Sequence, residues 1–576
     1  MTNGNRPWPA MSIEEATAQL TAPGASFEME TLTIRGRPTR VWKNAPPTLQ
    51  HCLVLGRAHG DKPFLVHEDE RVSFEAFARA AIALADQFRR RGLGKGDRLA
   101  IVMRNMPEWP VAFYAGHLVG AIVTPLNAWW TGAELEYGLA DAGVTILVAD
   151  AERWARIAPH RAALPDLAHV LLARAEAPAD GTEALEALIG PPASWAGLPD
   201  APTPEPFLDP EDDATIFYTS GTTGKPKGAL GTHRNICCNV MAGAFSQARS
   251  SLRRGDSPPA ADPDAPQKAT LLSVPFFHAT GCHAVLNPSL VAGVKLVMQR
   301  RFDAGDALRL IEAERINSAG GVPTIAWQLL THPDRDKYDL SSLESLAYGG
   351  APSAPELVRQ IGSGGRRPGN GWGMTETSAT FSSLMGEDYL RKPESAGPPV
   401  PVCDAEVRDP EGRVLPPNTV GELYGFGPNV VKGYWNKPEA TAETFPDGWV
   451  KTGDLAKIDE EGFIIIVDRA KDMLIRGGEN IYCVEVEGVL TEHPAIMDAA
   501  LVGRPHPVLG EEPVAFVSTK PHAQASEEEL QAFVAERLAR FKVPVAIFIR
   551  HTPLPRNANG KILKTELKKE VAGTHH

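Results

Sequence analysis

The sequence predicts an α/β protein: a large N-terminal domain of two doubly wound α/β subdomains and a β-rich subdomain, followed by a small α+β C-terminal domain. Three observations carry that prediction. From Val72 onward helical patterns alternate with short apolar runs, the order expected of βαβ units around a parallel sheet. Beyond Pro398 the texture changes to short alternating strands separated by Asp/Glu/Gly turns. A chain of 576 residues, 43% hydrophobic, can fill several cores rather than one.

In chain order, Ser12 and Glu15 stand in capping-box register for a short helix, and Leu32, Ile34 and Val41 mark an extended segment after it. The first α/β subdomain reads as helix over 74–92, strand over 98–103, helix over 109–120, and strands over 121–125, 145–149 and 170–173. Residues 175–207 and 250–268 are rich in Pro, Ala and Gly and read as exposed connections, the second of them mobile. Strand-like runs over 270–274, 294–299, 318–322 and 345–348 give the second α/β subdomain. The acidic segments 409–412 and 459–462 lack the ligand ladder of a calcium loop and read as hairpin turns. The last unit has a helix over 485–490 and strands over 499–502 and 513–518. A further helix is capped by Ser526 and Glu529, with Leu530, Phe533, Val534 and Leu538 facing a core.

Composition excludes several functions. With 58 basic and 71 acidic residues the net charge is −13, which argues against general binding to nucleic acid or to an anionic membrane. Six cysteines without CxxC or finger spacing read as reduced thiols of a cytoplasmic protein, with no zinc site. The start lacks the apolar core of a signal peptide, and the final Thr574-His575-His576 matches no lipidation signal. Residues 111–130 approach membrane-spanning length, but Pro125 would break such a helix, so peripheral association is the most that a membrane is expected to receive.

One stretch carries chemistry openly. Residues 218–229, YTSGTTGKPKGA, combine Gly221, Gly224 and Gly228 with the hydroxyls of Thr219, Ser220, Thr222 and Thr223 and the charges of Lys225 and Lys227. Backbone amides exposed by glycine, hydroxyl donors and lysines together suit a phosphate. Pro226 follows Gly224-Lys225 where a Walker loop would place Ser or Thr, so this is a different cradle.

This loop resembles the signature loop of the adenylate-forming superfamily, which includes acyl-CoA synthetases, aryl-CoA ligases, nonribosomal adenylation domains and beetle luciferases. Further motifs follow in the family's order and extend the resemblance from about Val72 to Leu567. Tyr348-Gly349-Gly350-Ala351-Pro352 resembles the turn beside the adenine. Asn370-Gly371-Trp372-Gly373-Met374-Thr375-Glu376 resembles the segment before the metal-binding glutamate, which implies Thr375 on the α-phosphate and Glu376 on Mg²⁺. Asp454 matches the aspartate that accepts the ribose hydroxyls, and Arg469 is implied at ribose or phosphate. Lys471 takes the hinge position, dividing residues 1–470, with the ATP and acyl pockets, from a mobile domain of residues 471–576. Lys561, in Pro555-Arg556-Asn557-Ala558-Asn559-Gly560-Lys561, matches the lysine required for adenylation, where its point charge would neutralise the developing anion. Gly477 and Gly478 are implied on the face that admits pantetheine, although the pair would equally suit a tight hairpin.

The implied activity is AMP-forming ligation of a carboxylic acid to a thiol, with ATP, Mg²⁺ and CoA. The partners are thus small molecules, with no nucleic acid, and a homodimer is allowed. The chain ends fifteen residues after Lys561, so an attached carrier is less suitable than diffusible CoA. By resemblance the acid lies beside His278 and segments 325–330, 348–351 and 372–377, with His278 as a gate and Phe277, Trp327 and Trp372 as apolar walls. These segments contain no lysine or aspartate, which disfavours an amino acid. A medium- to long-chain fatty acid is expected, with a hydroxycinnamate or benzoate as the alternative. Trp372 stands where the family commonly has tyrosine, which bears on the depth of the pocket. An inactive nucleotide-binding regulator would be expected to lack Glu376 or Lys561, and both are present.

Overall fold

The computed structural model describes residues 8–175, 179–219, 225–257, 265–349, 355–520, 522–557 and 560–573. Its large part is built on two eight-stranded sheets. The first runs in the order Gly433–Tyr434, Lys227–Thr232, Asp213–Thr219, Ile122–Pro125, Arg98–Val102, Ile146–Asp150, His169–Ala173, Glu183–Ala184. The strands from Asp213–Thr219 onward pair in parallel, while Lys227–Thr232 folds back antiparallel. Ile146–Asp150 is buried along its whole length, as a parallel strand covered on both faces must be.

The second sheet runs Ser382–Met385, Arg367–Trp372, Ser345–Gly349, Ser318–Gly321, Ala269–Leu272, Lys295–Met298, Pro63–His67, Glu70–Ser73. Its inner strands are parallel and its two edge strands antiparallel. The α/β class is thus as the alternation predicts, but the two sheets do not follow chain order. Residues 63–73 join the second sheet, and residues 433–434 return to the first. Helices Phe74–Arg90 and Glu108–Val119 pack on each other in a core to which both sheets contribute. Trp109 stacks on Phe113 and on Phe276, the latter from the second subdomain, at centroid distances of 5.4 and 5.0 Å. Glu108–Val119 is buried on every side, which is why its sequence is apolar enough to approach a membrane span. Among the described residues no helix is long and apolar enough to cross a membrane.

A four-stranded antiparallel sheet, Asp404–Arg408, Gly421–Phe426, Val450–Ile458 and Ile464–Arg469, forms the β-rich part. The acidic segments are turns in it: Gly412 and Gly462 adopt φ of 83° and 84° and donate to the carbonyls of Asp409 and Asp459. The small C-terminal part is a five-stranded sheet covered by Cys483–Glu492, Glu527–Ala535 and Lys564–Gly573. Both capping boxes form, Ser12 with Glu15 and Ser526 with Glu529. The connection over 175–207 is more ordered than its composition suggests. Leu185–Ile189 is helical, and Trp195 is completely buried with its indole N–H on the Gly190 carbonyl. Of the connection over 250–268, residues 258–264 lie outside the described residues.

One buried ion pair fixes the long helix His233–Arg253 to the second sheet's edge: the Arg253 guanidinium meets both oxygens of Asp388 at 2.7 Å. Arg253→Leu would leave the Asp388 carboxylate buried and unpaired, and is expected to destabilise the large domain by about 3–5 kcal/mol. Urea unfolding followed by tryptophan emission measures this. A change below about 1 kcal/mol would mean that the pair contributes little beyond packing.

Candidate active site

The site forms where strand ends of the first two sheets, the four-stranded sheet and one loop of the small domain converge. The phosphate-type loop spans a hairpin: Asp213–Thr219 pairs with Lys227–Thr232, with Thr219 opposite Lys227. Ser220, Gly221, Thr222, Thr223 and Gly224 lie outside the described residues, as do Gly350, Ala351 and Pro352. The hairpin's flanks are firmly held. Tyr218 donates to Asp141 at 2.8 Å, Tyr137 donates to the Pro226 carbonyl, and Lys225 lies over the Tyr137 ring. Gly228 has a packing reason, because a Cβ there would sit 2.5 Å from an Ile216 methyl.

Glu376 is 6% exposed in the one-turn helix Thr375–Thr377, which packs against both hairpin strands. Tyr434 donates to its Oε1 at 2.7 Å, and the Val431 amide donates to its carbonyl. Lys227 Nζ stands 4.5 Å from the Tyr434 ring centroid. Burial raises the Glu376 pKa, opposed by the Tyr434 hydrogen bond and the charges of Arg469 and Lys227. Thr375, half-buried, precedes it. The backbone beyond is strained: Ser378 and Ala379 hold φ of 52° and 89°, and a Cβ on Gly373 would fall 1.5 Å from the Ala379 carbonyl oxygen. Asn239 and Asn429 brace this bend through the Thr380 amide and carbonyl.

Asp454 and Arg469 are directly opposed on antiparallel strands, and Arg469 Nε lies 3.0 Å from Asp454 Oδ1. Asp454 Oδ2 accepts the Trp372 indole N–H at 2.9 Å. Asn370 and Gly371 lie just before Trp372 on its strand, with the Asn370 amide on the Ser395 carbonyl. Gly349 is the last residue of Ser345–Gly349, and a Cβ there would meet the Gly371 carbonyl at 2.6 Å.

His278 follows Ala269–Leu272 through a tight turn in which a Cβ on Gly281 would strike the Pro275 carbonyl. A π-helical segment, Thr280–Leu286, comes next. Such helices are uncommon and favour functional sites. His278 Nδ1 accepts the Thr280 amide, and burial followed by the charge of Lys561 lowers its pKa to about 4, so the ring is neutral and a weak base. Burial also brings neighbouring His283 down to about 3.

Lys561 belongs to the small domain yet reaches this cluster. Gly560, at φ 75°, lies against Val322 so closely that a Cβ would come within 2.6 Å of it. The Asn557 side chain accepts the Lys561 amide. Protein packed around the ammonium, then the charge of Arg469, lower the Lys561 pKa to about 8, although part of the side chain remains open to solvent. Lys471 is also depressed, by burial and by Arg469. A further contact joins the two parts: the Asp468 carboxylate of the four-stranded sheet accepts the amide of Cys483, the first residue of a small-domain helix. Burial raises Asp468 to about 6.

The structure therefore brings together Thr219, Lys227, Glu376, Trp372, Asp454, Arg469, His278 and Lys561. Two expected wall residues are engaged otherwise: the Trp327 ring faces Lys520 of the small domain at 5.6 Å, and the Trp372 indole donates to Asp454 within the cluster. Gly477 and Gly478, at φ 60° and 89°, form the two-residue turn of the hairpin Leu474–Arg476/Glu479–Ile481. An open groove of about 840 Å³, lined by Arg476, Gln531, Arg540 and Phe541 among others, lies on the small domain and shares no residue with the cluster. Tyr434, Asn239 and Asn429 are residues that sequence reasoning missed. Each lies far along the chain from the motif it supports, so only the fold reveals them, whereas Asp468 stands next to Arg469 and only its partner, the Cys483 amide, is hidden from the sequence.

One carboxylate on paired strands, a buried second carboxylate and converging lysines, on this fold, define an adenylate-forming enzyme in its class. Residues 55–435 match the family model of the AMP-binding enzyme, and residues 485–561 that of the AMP-binding enzyme C-terminal domain. The chain belongs to the AMP-binding enzyme family and is an AMP-forming acid–thiol ligase. It is 35% identical over 558 residues to a long-chain-fatty-acid–CoA ligase of Bacillus subtilis, covering 92% of this chain and 95% of the relative. It is equally 35% identical over 508 residues to a feruloyl-CoA synthase of Amycolatopsis, covering 87% and 94%. The solved o-succinylbenzoate CoA synthetase of Bacillus subtilis with its acyl-adenylate intermediate superposes with a TM-score of 0.74 at 30% identity, over 90% of this chain and 97% of that one. The same enzyme with ATP and magnesium gives 0.73 at 30% identity, over 90% and 99%.

Gly560→Ala is expected to displace the Lys561 loop from Val322 and slow acyl-adenylate formation about 100-fold, since a displacement of this size is costly in a positioned site. Circular dichroism should report an unchanged fold. A wild-type rate would show that the close approach carries no function.

Proposed function

We propose that this chain activates a medium- to long-chain fatty acid with ATP and transfers it to CoA, and that the cluster around Asp454, Glu376 and Lys561 is where the first step occurs. The observation that carries the reading is the meeting of Lys561, from the small domain, with Asp454, Arg469 and His278 of the large one. In the first half-reaction a carboxylate oxygen of the acid attacks the α-phosphorus as the bond to pyrophosphate breaks. In the second, the CoA sulfur attacks the acyl carbonyl carbon and AMP leaves.

The residues divide the work by charge. Asp454 accepts the ribose hydroxyls, with Arg469 beside it. The amides and hydroxyls from Thr219 to Gly224, with Lys227, hold the β- and γ-phosphates, and Thr375 donates to the α-phosphate. Gly349, Gly350, Ala351 and Pro352, with Asn370, Gly371 and Trp372, border the base and sugar. Lys561 neutralises charge at the reacting carboxylate and α-phosphate, which costs little reorganisation because it is already docked. His278, neutral, gates the acid. Lys471 is the hinge about which residues 471–576 turn, bringing Gly477 and Gly478 toward pantetheine for the second step.

Glu376 fits Mg²⁺. It is a buried carboxylate whose pKa is raised by desolvation, a cost that a cation would relieve, and Tyr434 occupies only one of its oxygens. Mg²⁺ needs one or two carboxylates when phosphates supply further oxygens. When bound it would supply Lewis-acid neutralisation of phosphate charge.

The preference for an alkyl acid rests on the wall. Stacking would favour an aryl acid, but the Trp327 ring faces Lys520 and the Trp372 indole is engaged with Asp454, which leaves buried Phe277 and the aliphatic Ile325 among the residues of the pocket segments. The aryl alternative is supported by the feruloyl-CoA relative at the same identity. Exchange of labelled pyrophosphate into ATP, run with fatty acids of graded length, ferulate and benzoate, separates them. Preference for ferulate or benzoate would overturn the alkyl reading.

Lys561→Ala is expected to abolish this exchange while sparing thioester formation from supplied acyl adenylate; equal loss of both would reject its assigned role. Its depressed pKa gives a second test. Losing the proton discharges the ammonium, so kcat/KM for ATP should fall as pH rises through about 8. Lys561→Arg, charged throughout that range, should lack this alkaline limb. An identical limb in the arginine variant would assign the titration to another group.

A further inference from the structure

Trp372 closes the strand Arg367–Trp372 and is fixed on both sides. Its ring stands edge-on to the fully buried Phe381 at 5.5 Å and 88°, and the chain after it is pinned by the Gly373–Ala379 contact. An indole nitrogen can only donate, and here it donates to Asp454 Oδ2. Arg469 engages Oδ1 from the neighbouring strand. The Asp454 carboxylate, on a side chain only 7% exposed, is thereby held by two donors from two different sheets. Each carboxylate oxygen has about two acceptor positions, so one on each oxygen remains. Two adjacent acceptors in a fixed plane match the two hydroxyls of a vicinal diol.

We propose that Trp372 is a positioning residue that sets the enzyme's preference for a ribonucleotide by orienting Asp454, rather than a wall of the acyl pocket. The inference rests on the reading of Asp454 as the ribose acceptor. Without the indole N–H, the carboxylate keeps Arg469 alone and is free to turn both oxygens onto the guanidinium, a geometry that guanidinium and carboxylate favour. It would then face the diol poorly. A sugar lacking one hydroxyl would lose less by that rotation than ATP does.

The test measures pyrophosphate exchange with ATP, 2′-deoxy-ATP and 3′-deoxy-ATP in wild type, Trp372→Phe and Trp372→His. Phenylalanine keeps an aromatic ring but no donor, whereas histidine keeps a ring N–H. Wild type should prefer ATP. In Trp372→Phe the ratio of kcat/KM for ATP to that for each deoxy analogue should shrink about 10-fold, the size of one hydrogen bond to a charged group, mostly through KM for ATP. Trp372→His should recover part of the ratio, and it carries the test alone if the phenylalanine variant does not fold. Equal losses on ATP and both analogues, or an undiminished ratio in Trp372→Phe, would overturn the inference, as would a histidine variant with no more discrimination than phenylalanine. A wild type that exchanges well but does not distinguish ATP from either analogue would instead overturn the assignment of Asp454 to ribose.

Discussion

A carboxylate removed from water needs partners, and the Asp454 carboxylate draws two of them from different sheets. Arg469 comes from the adjacent strand and Trp372 from the second eight-stranded sheet, while the Thr452 hydroxyl accepts the Asp454 backbone amide and fixes the local frame. The four-stranded sheet is consequently locked against the larger α/β body at the point where a nucleotide is proposed to sit. Glu376, from the segment after the second sheet's strand Arg367–Trp372, repeats the arrangement. Its burial is matched by Tyr434, which sits on a two-residue strand added to the first sheet. The two acidic groups of the site are therefore structural as well as chemical, because each ties one sheet to another.

The small domain is held in the same manner. Asp468 joins the four-stranded sheet to the small domain by accepting the Cys483 amide at the start of a small-domain helix, an orphan donor that any helix must satisfy. Gly560 lets the loop carrying Lys561 come into contact with Val322. Lys520 adds a cation over the Trp327 ring. None of these contacts is large, and each is made by side chains or by one glycine at the surface of a body that is otherwise self-contained. An orientation held by a few local contacts is one that a modest free energy can exchange for another, which suits a ligase whose two half-reactions are proposed to use two faces of the same small domain.

Much of this was legible in the sequence. The alternation of helix and strand, the turns at Gly412 and Gly462, both capping boxes and the core face of Glu527–Ala535 follow from local periodicity and turn chemistry, which act over a few residues. The order of the motifs along the chain marks Glu376, Asp454, Arg469 and Lys561. Periodicity does not record which sheet a strand joins: residues 63–73 lie directly ahead of the first subdomain's opening helix in the sequence, yet they complete the second sheet. Composition likewise misjudged the connection around Trp195, because Pro and Ala are as compatible with a packed surface segment as with a loose one.

The sequence by itself determined the class of fold and the family, and marked the ionisable groups that the structure brings together, since these depend on residue identity and on spacing along the chain. Only the tertiary structure decided what those groups touch. Trp372 and Trp327 have the composition of an apolar wall, but one donates a hydrogen bond to Asp454 and the other receives a lysine from the small domain. The pKa of Lys561 is lowered by protein and cations contributed from residues nearly a hundred positions earlier. The physical reason is that desolvation, hydrogen-bond partners and electrostatic neighbours are properties of position in space, and a linear pattern specifies position only within a helix turn or a strand.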